Sequence, residues 1–314
     1  MDQFIAALKE HYDLEITSLS QQQGGWSAFA YKALTRNQAY FLKVYDKSRA
    51  STPKWTTLID DYAPVLVWLQ QHSGLKGKIP VPLLTKEGRY TCENEDGILL
   101  LYEYIDGETI AERELTKEQV SQLAEIISEL HSYDDNLPMK TGALKESFDV
   151  SFLQQLSMML NNESNPMPSD VGEMLEPHRK RLNSLIVAVE QLSAALKNSP
   201  SRFVLCHTDI HNWNLMQSGQ TLLLIDWEGL KLAPVEADLM FLTDKPYYDD
   251  FLSIYRERHP NFTINPDALR FYQGRRKLED IGEWLEQLLF DKQDAKERAA
   301  TLSGLTRDLQ SLSQ

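Results

Sequence analysis

The sequence predicts an α+β protein in which a strand-rich N-terminal part precedes a larger, mainly helical part. Two short runs near the start, "SAFAYKALT" and "AYFLKVY", are rich in aromatic and small apolar residues and are typical of strands. Beyond Gly107, "TKEQVSQLAEIISELHSY" has apolar residues at helical spacing behind a Thr116 N-cap. We therefore predict one lobe over residues 1–105 and a second over residues 106–314.

Each element of the N-terminal part has its own signal. Periodic apolar residues separated by charges in "MDQFIAALKEHYDLEI" predict an amphipathic first helix. Arg36 and Asn37 form a turn between the two strands, and residues 53–72 have a helical pattern. The dipeptide Asp96-Gly97 predicts the turn of a hairpin within "RYTCENEDGILLLYEYIDG".

The C-terminal part is predicted to be helical over residues 148–196, with a break near "NNESNPMPSD". Two short strands, "FVLC" and "TLLLID", follow, and the pattern is helical again from residue 267 to the end. The segment between the two strands contains two histidines, an aspartate and two asparagines close together.

Composition excludes some classes of function. Lys and Arg number 32 against 46 Asp and Glu, a net charge of −14, which argues against nucleic acid as a partner. The acidic balance fits a cationic substrate, although it also serves solubility alone. No apolar run is long enough for a membrane span, and no signal peptide precedes the first helix. With only Cys92 and Cys206, a reducing compartment is expected, so we predict a cytoplasmic protein.

The polar stretch "VLCHTDIHNWNLM" admits three interpretations: a metal site, a polar turn or a catalytic loop. Asn214 is a poor zinc ligand but a good magnesium ligand. Seventeen residues after Asp209, Asp226 ends the apolar run "LLLID", where a carboxylate needs a charged partner. An aspartate, an asparagine and a second aspartate in this order match the phosphoryl-transfer arrangement of a base followed by two magnesium ligands. The context therefore favours the catalytic loop.

Phosphoryl transfer also requires groups that bind the nucleotide phosphates. Lys43 lies inside the apolar strand "FLKVY", whereas a lone lysine in a strand is more often a solvent-facing residue. Gly24 and Gly25, followed by Ser27, lie just upstream, and glycines let a backbone approach phosphates closely. A single Gly-Gly pair is more often only a turn, so the glycines are the weaker half of this prediction.

The motifs "CHTDIHNWN", "LLLIDWEGLKLAPVEADLMFL", "FLKVY" and "LLYEYIDGET" together resemble the aminoglycoside phosphotransferase family, whose members are relatives of the protein kinases. The pattern "IDWE", then "AP" and "DLMF", is most similar to the spectinomycin phosphotransferase branch. The resemblance implies a bilobal protein-kinase-like fold. Its N-terminal nucleotide-binding lobe would hold an antiparallel sheet plus a helix, and its larger C-terminal lobe would be mainly helical and bind the substrate.

The resemblance also implies roles for individual residues. It implies ATP as co-substrate, with GTP left open, and it implies Mg²⁺. Asp238 matches a structural aspartate after the metal motif, with a helix cap as the alternative. The remaining matches are the catalytic base Asp209, the magnesium ligands Asn214 and Asp226, the lysine Lys43 that contacts the α- and β-phosphates, and the positions Glu103 and Ile105 whose backbone meets the adenine.

One position departs from the family pattern. The family pairs its lysine with a glutamate on the first helix of the N-terminal lobe, and the matching residue here is Asp61, next to Asp60. Aspartate is one methylene shorter, so either the helix lies closer or a water bridges the pair. Alternatively, both aspartates are simply exposed acids on the helix, and which of them pairs with Lys43 is left open.

Substrates of the aminoglycoside type are polycations, which implies a pocket with carboxylates. The candidates are Glu228, directly after the metal motif, and Glu279, Asp280 and Glu283 on a late helix. The basic run that precedes the late acids makes an ordinary salt-bridged helix face the more direct explanation for them.

The sequence thus predicts an ATP-dependent kinase that phosphorylates a hydroxyl group of a small, cationic molecule. An aminoglycoside or spectinomycin, and hence antibiotic resistance, is one interpretation. A cellular metabolite such as choline, homoserine or an amino sugar is the other, because fold analogy does not determine the acceptor. A catalytically inactive nucleotide-binding module is disfavoured because the base and both metal ligands are present. Oligomeric state is left open.

Overall fold

An antiparallel sheet of five strands, in the order β1-β2-β3-β5-β4, forms the N-terminal part of the protein. The computed structural model describes residues 1–22, 28–161, 167–199 and 201–312. The predicted phosphate-binding residues Gly24, Gly25 and Ser27 lie outside the described residues. The strands are β1 (Ser18–Gln22), β2 (Phe29–Leu34), β3 (Ala39–Asp46), β4 (Cys92–Glu93) and β5 (Gly97–Glu103).

The two faces of this sheet bury different partners. Side chains alternate along a strand, so Leu42 and Val44 of β3 share one face, which packs against Phe4 and Leu8 of the first helix, α1 (Asp2–Tyr12). Tyr45 lies on the opposite face. There it joins the larger core cluster that contains the apolar residues of α3 (Ile59–His72). The alternation therefore turns Lys43, between Leu42 and Val44, toward this second face.

The helix predicted over residues 53–72 is interrupted. A short helix, α2 (Thr52–Thr56), ends before α3 begins. The hydroxyls of Thr56 and Thr57 donate hydrogen bonds to the carbonyls of Thr52 and Pro53, at 2.9 and 2.6 Å. Threonine side chains that bond back to the preceding turn bend helices, which is consistent with the break at this point.

The chain divides into two compact units. The first comprises Met1–Lys145 and Phe203–Phe262, and the second comprises Glu146–Arg202 and Thr263–Gln314. Within the first unit the five-stranded sheet is joined by two small sheets, in the orders β6-β8-β9 and β10-β7. Their strands are β6 (Glu108–Thr109), β7 (Val204–Cys206), β8 (Leu215–Ser218), β9 (Thr221–Leu224) and β10 (Lys231–Ala233).

Three further helices complete the first unit: α4 (Lys117–Leu130), α8 (Glu236–Leu239) and α9 (Tyr248–Arg258). The predicted cap of α4 is confirmed as a capping box. The Thr116 side chain accepts a hydrogen bond from the Gln119 backbone, and the Gln119 side chain accepts one from the Thr116 backbone. The buried face of α4 includes Val120, Leu123 and Ile127, at the spacing that the sequence shows.

The second unit is built from helices in its described residues: α5 (Phe152–Leu160), α6 (Ser169–Leu175), α7 (Arg179–Lys197), α10 (Pro266–Phe290) and α11 (Ala295–Ser311). Helices α7 and α10 approach closely at Gly274, where a Cβ atom would lie 2.7 Å from a methyl carbon of Val189. The sheet followed by helices confirms the predicted α+β class. Among the described residues, no helix combines the length and apolar character needed to cross a bilayer.

Candidate active site

The loop between β7 and β8 carries the predicted catalytic aspartate. The Asp209 side chain is 29% exposed, and its Oδ2 atom accepts a hydrogen bond of 2.9 Å from Nδ2 of Asn214. The same Nδ2 atom donates to the backbone carbonyl of Asp209, also at 2.9 Å, and Asn214 is buried. His211 places its Nε2 atom 3.3 Å from Asp209 Oδ2. Asn214 and His211 thus contact the same oxygen of the Asp209 carboxylate.

Asp238 anchors the start of this loop. Thr208 has a φ of 67°, an unfavourable value for a β-branched residue. The fully buried carboxylate of Asp238 on α8 compensates by accepting hydrogen bonds from the backbone N–H groups of His207, at 3.0 Å, and Thr208, at 2.5 Å. It also accepts from Nε2 of His131 at 3.0 Å. Asp238 therefore fixes a strained backbone directly before Asp209, the predicted catalytic aspartate.

His207 joins the catalytic loop to the segment that carries Asp226. Its Nε2 atom donates to the backbone carbonyl of Ile225 at 2.9 Å, and its Nδ1 atom accepts from the backbone N–H of Asp209 at 3.2 Å. A second link runs from the Ile225 N–H to the backbone carbonyl of Asn214, at 2.9 Å. These bonds define the neutral Nε2–H tautomer of His207 and bring both predicted magnesium ligands to one place.

The turn from Asp226 to Gly229 also has a backbone conformation that restricts which residues can occupy it. Asp226 has a φ of 66°, in the left-handed region that aspartate tolerates better than most residues. At Gly229 a Cβ atom would lie 2.5 Å from the hydroxyl of Thr208, whose Oγ1 atom donates to the Gly229 carbonyl at 2.8 Å. Glycine is therefore required where this turn meets the catalytic loop.

Lys43 reaches this turn from β3. Its Nζ atom lies 3.0 Å from Oδ1 of Asp226 and also forms an ion pair with Glu228. Burial alone would lower the pKa of the Lys43 ammonium, but the two carboxylates raise the pKa well above its ordinary value. The lysine therefore stays charged in a nearly enclosed position, as a group that binds phosphate must.

Glu228 has a second donor, the hydroxyl of Tyr45. Burial and the neighbouring carboxylate raise the pKa of the Tyr45 hydroxyl well above its ordinary value. The hydroxyl thus stays protonated and able to donate.

The oxygen atoms that Asp226 and Asn214 offer suit a hard divalent cation. The Asp226 carboxylate is 39% exposed, so part of it faces solvent. The Asn214 side chain donates through its nitrogen, which leaves its amide oxygen as the atom that a cation would meet. Carboxylate and amide oxygens are the ligands that Mg²⁺ prefers, so the residues fit this ion.

The structure places the other predicted nucleotide residues as follows. Glu103 is the last residue of β5, the strand that pairs with β3, and Ile105 lies two residues further on, in the connection to β6. Asp61 lies in the first turn of α3, is half-buried and is not among the partners of Lys43. Asp60 is exposed. The carboxylate that the sequence assigned to α3 is supplied in this structure by Glu228.

The position of Glu228 also does not suit its predicted role as a substrate-binding residue. Its side chain is only 6% exposed because Lys43 and Tyr45 cover it. A carboxylate enclosed by two donors is not presented to a cationic acceptor, whose ammonium groups would have to displace the lysine.

The late acidic residues lie on α10 in the second unit. Glu279 pairs with Arg275 at 2.9 Å, and Asp280 pairs with Arg276 at 2.8 Å, each four residues apart. This is the salt-bridged helix face that the sequence allowed as the alternative. Glu283 is half-buried one turn further along the helix. Burial raises the pKa of the Asp280 carboxyl to about 6, although Arg276 acts in the opposite direction.

Two residues of this site were not predicted from the sequence. His131, directly after the last residue of α4, donates to Asp238 and thereby supports the loop that carries Asp209. Tyr45 was not singled out at all. Its position two residues after Lys43, and hence on the same face of a strand, is the signal that would have found it.

A strand lysine directed at an aspartate turn, beside a loop that presents a second aspartate and an asparagine, is typical of enzymes that transfer phosphoryl groups. A comparison with known proteins also indicates an enzyme that transfers phosphoryl groups. The chain belongs to the phosphotransferase enzyme family, whose profile matches residues 18–272. It is therefore a phosphotransferase whose acceptor is a hydroxyl group of a small molecule.

Similar solved structures come from the same kind of enzyme. A spectinomycin phosphotransferase in complex with ADP and spectinomycin is 22% identical, with 99% of this chain and 97% of that chain covered and a TM-score of 0.75. Choline kinase from Streptococcus pneumoniae is 19% identical, with 99% and 98% covered and a TM-score of 0.65. A microcompartment-associated aminopropanol kinase is 14% identical, with 100% and 97% covered and a TM-score of 0.65. The predicted kinase-like fold is confirmed.

Proposed function

We propose that this protein is an ATP-dependent kinase that transfers the γ-phosphate to a hydroxyl group of a cationic small molecule, with Asp209 as the general base. The observation that carries the proposal is the position of Asp209. Its carboxylate is partly exposed, is fixed by Asn214, and lies on a loop tied to the Asp226 turn through His207. A base must be held in this way to orient a nucleophile without blocking access to it.

In the proposed reaction, Lys43 binds the α- and β-phosphates of ATP, and the backbone at Glu103 and Ile105 meets the adenine. Asn214 and Asp226 would hold Mg²⁺, which would neutralise charge on the phosphates. Asp209 accepts the hydrogen bond of the acceptor hydroxyl and takes its proton as the oxygen attacks the γ-phosphorus. ADP leaves, with its phosphates still facing the Lys43 ammonium.

For the acceptor we propose spectinomycin or a related aminoglycoside, which would make the enzyme one of antibiotic resistance. The motif pattern after Asp226 and the similarity to a spectinomycin phosphotransferase support this choice. A metabolite such as choline, homoserine or an amino sugar is the second candidate, supported by the similarity to choline and aminopropanol kinases. Both kinds of acceptor carry a positively charged nitrogen and a hydroxyl, and both suit a protein with a net charge of −14.

The test is a coupled assay of ADP release with spectinomycin, aminoglycosides, choline, homoserine and aminopropanol as acceptors. The phosphorylated product is confirmed by mass spectrometry. Turnover with spectinomycin or an aminoglycoside at a low KM supports the resistance function. Efficient turnover restricted to choline, homoserine or aminopropanol would instead establish a metabolite kinase. ADP release that is independent of every acceptor would contradict the proposal as a whole.

A further inference from the structure

The two polar side chains that β3 turns toward its second face, Lys43 and Tyr45, converge on one atom. They are two residues apart and therefore share that face of the strand. Both donate a hydrogen bond to Oε1 of Glu228. Tyr45 is fully buried, and Lys43 is almost so. Two donors from one rigid strand thus hold a carboxylate from a turn 183 residues further along the chain.

The burial of Glu228 shows that this contact is structurally specific. Its side chain is 6% exposed, whereas Asp226, which also pairs with Lys43, is 39% exposed. A buried carboxylate is stable only when hydrogen-bonded and paired with a charge, and Tyr45 and Lys43 supply these two requirements. Asp226 can exchange its contact with the lysine for a contact with a cation and remain solvated. Glu228 is buried and would lose its charged partner if it left the lysine.

The carboxylates that pair with Lys43 are those of Asp226 and Glu228, and not that of Asp61 on helix α3. Asp61 is only half-buried, while the next residue, Tyr62, is buried in the same core cluster as Tyr45. Adjacent positions on a helix differ by about 100° of rotation. The rotation that buries the Tyr62 ring against this core therefore directs the Asp61 side chain elsewhere.

We propose that Glu228 is the residue that orients Lys43 for the nucleotide phosphates, and that Tyr45 is a positioning residue that acts through Glu228. This inference rests on the proposed function, because it assigns a partner to the lysine that binds ATP. When Asp226 turns to the metal, Lys43 keeps its bond to Glu228, and Tyr45 prevents the carboxylate from following the lysine toward the phosphates. The role expected for an acidic residue on α3 is thereby taken by the turn that follows the metal ligand.

The substitution Tyr45→Phe tests this with no change of charge and almost no change of volume. It removes the hydroxyl donor, so Glu228 and with it Lys43 lose one restraint. We expect the KM for ATP to rise about tenfold, equivalent to ~1.4 kcal/mol, which lies within the range of a hydrogen bond to a charged group. The KM for the acceptor should stay within about twofold, because Tyr45 acts only through groups on the nucleotide side.

The matched control is Tyr31→Phe. Tyr31 is also buried, lies on the neighbouring strand β2, and belongs to the cluster on the opposite face of the sheet. Melting temperatures of both variants separate a loss of folding from a loss of orientation. A purely structural Tyr45 would lower the melting temperature and leave the KM for ATP at the level of the Tyr31→Phe protein, and that result overturns the inference.

Two further variants of the full-length protein complete the design. Asp61→Asn reports on the competing partner, and a larger rise in KM for ATP than that caused by Tyr45→Phe also overturns the inference. Lys43→Ala reports on the proposed function itself. If the unmodified protein binds no ATP, both the proposed function and the inference fail. If Lys43→Ala weakens ATP binding and Tyr45→Phe does not, only the inference fails.

Discussion

At the scale of single residues, the candidate site depends on one buried acid that takes no part in the proposed chemistry. Asp238 accepts from two consecutive backbone N–H groups and from His131. His131 and His207 are fully buried and Thr208 is half-buried, so an uncharged replacement with a donor of its own cannot satisfy all three donors. The strained φ of Thr208 persists because these bonds over-determine it.

Replacing this acid should therefore damage both stability and turnover. For Asp238→Asn we expect a loss of about 3–5 kcal/mol in the free energy of unfolding, together with a lower kcat, measured by urea denaturation and steady-state assay. Asp244→Asn, at an exposed acid six residues away, is the control and should change stability by less than about 0.5 kcal/mol. Equal effects of the two substitutions would contradict the anchoring role.

The proximity of the candidate site residues could be predicted from the sequence where it depends on local order along the chain, while their roles stay predictions. Asp209, Asn214 and Asp226 were recognised by their spacing, and the structure brings their segments together through His207 and Ile225. The partner of Lys43 was predicted by counting along α3, and the structure supplies Glu228 instead. No local pattern encodes that choice, because it depends on which face α3 turns to the core and on a contact between distant segments.

At the scale of elements, close helix packing in the second unit gives a sharp test. A Cβ atom at Gly274 of α10 would lie 2.7 Å from Val189, whereas at Gly282 of the same helix it would meet only Leu156, at 4.0 Å. We expect Gly274→Ala to cost about 1–3 kcal/mol through overpacking. Gly282→Ala should be neutral or gain up to about 1 kcal/mol from helix propensity.

Thermal unfolding of the two alanine variants measures the difference. Because both glycines lie in the same helix, a general effect of alanine on α10 would change both melting temperatures in the same direction. That outcome would contradict the packing argument, which requires opposite or clearly unequal shifts.

The pH dependence of stability gives a second test of α10. Burial raises the pKa of Asp280 to about 6 from 3.8, with Glu283 and Asp308 acting in the same direction and Arg276 in the other. Between these values the folded state binds more protons than the unfolded state, so the contribution of Asp280 to stability falls as pH rises from about 4 to about 6. Relative to Asp280→Asn, the unmodified protein should lose stability over this window. A constant difference between the two proteins across it would show that the Asp280 pKa is not raised.

The elements themselves follow from periodicity to a large extent. The strands around Lys43, the capping box of α4 and the helices of the second unit lie where the apolar pattern places them. The break between α2 and α3 was missed, because threonine side chains that bond back to their own helix leave no mark in the apolar pattern.

At the scale of the whole molecule, segments that are far apart in the sequence belong to the same compact unit. The sequence predicts a boundary after residue 105, which stays a prediction, while the contacts group Met1–Lys145 with Phe203–Phe262. Composition changes once along the chain and cannot reveal that the chain returns to its first unit. This return brings the Asp209 loop and the Asp226 turn into the same unit as the lysine strand.

We propose that the enzyme as a whole moves phosphate from ATP to a hydroxyl group with Asp209 as the base. The most direct measurement compares turnover and nucleotide binding in Asp209→Ala and in the unmodified protein, with the best acceptor of the coupled assay. We predict a fall in kcat of about 10²–10⁴-fold, the usual contribution of a general base. The Kd for ATP should stay within about threefold, because Asp209 does not contact the nucleotide in the proposed arrangement. Turnover at the level of the unmodified protein would contradict the claim.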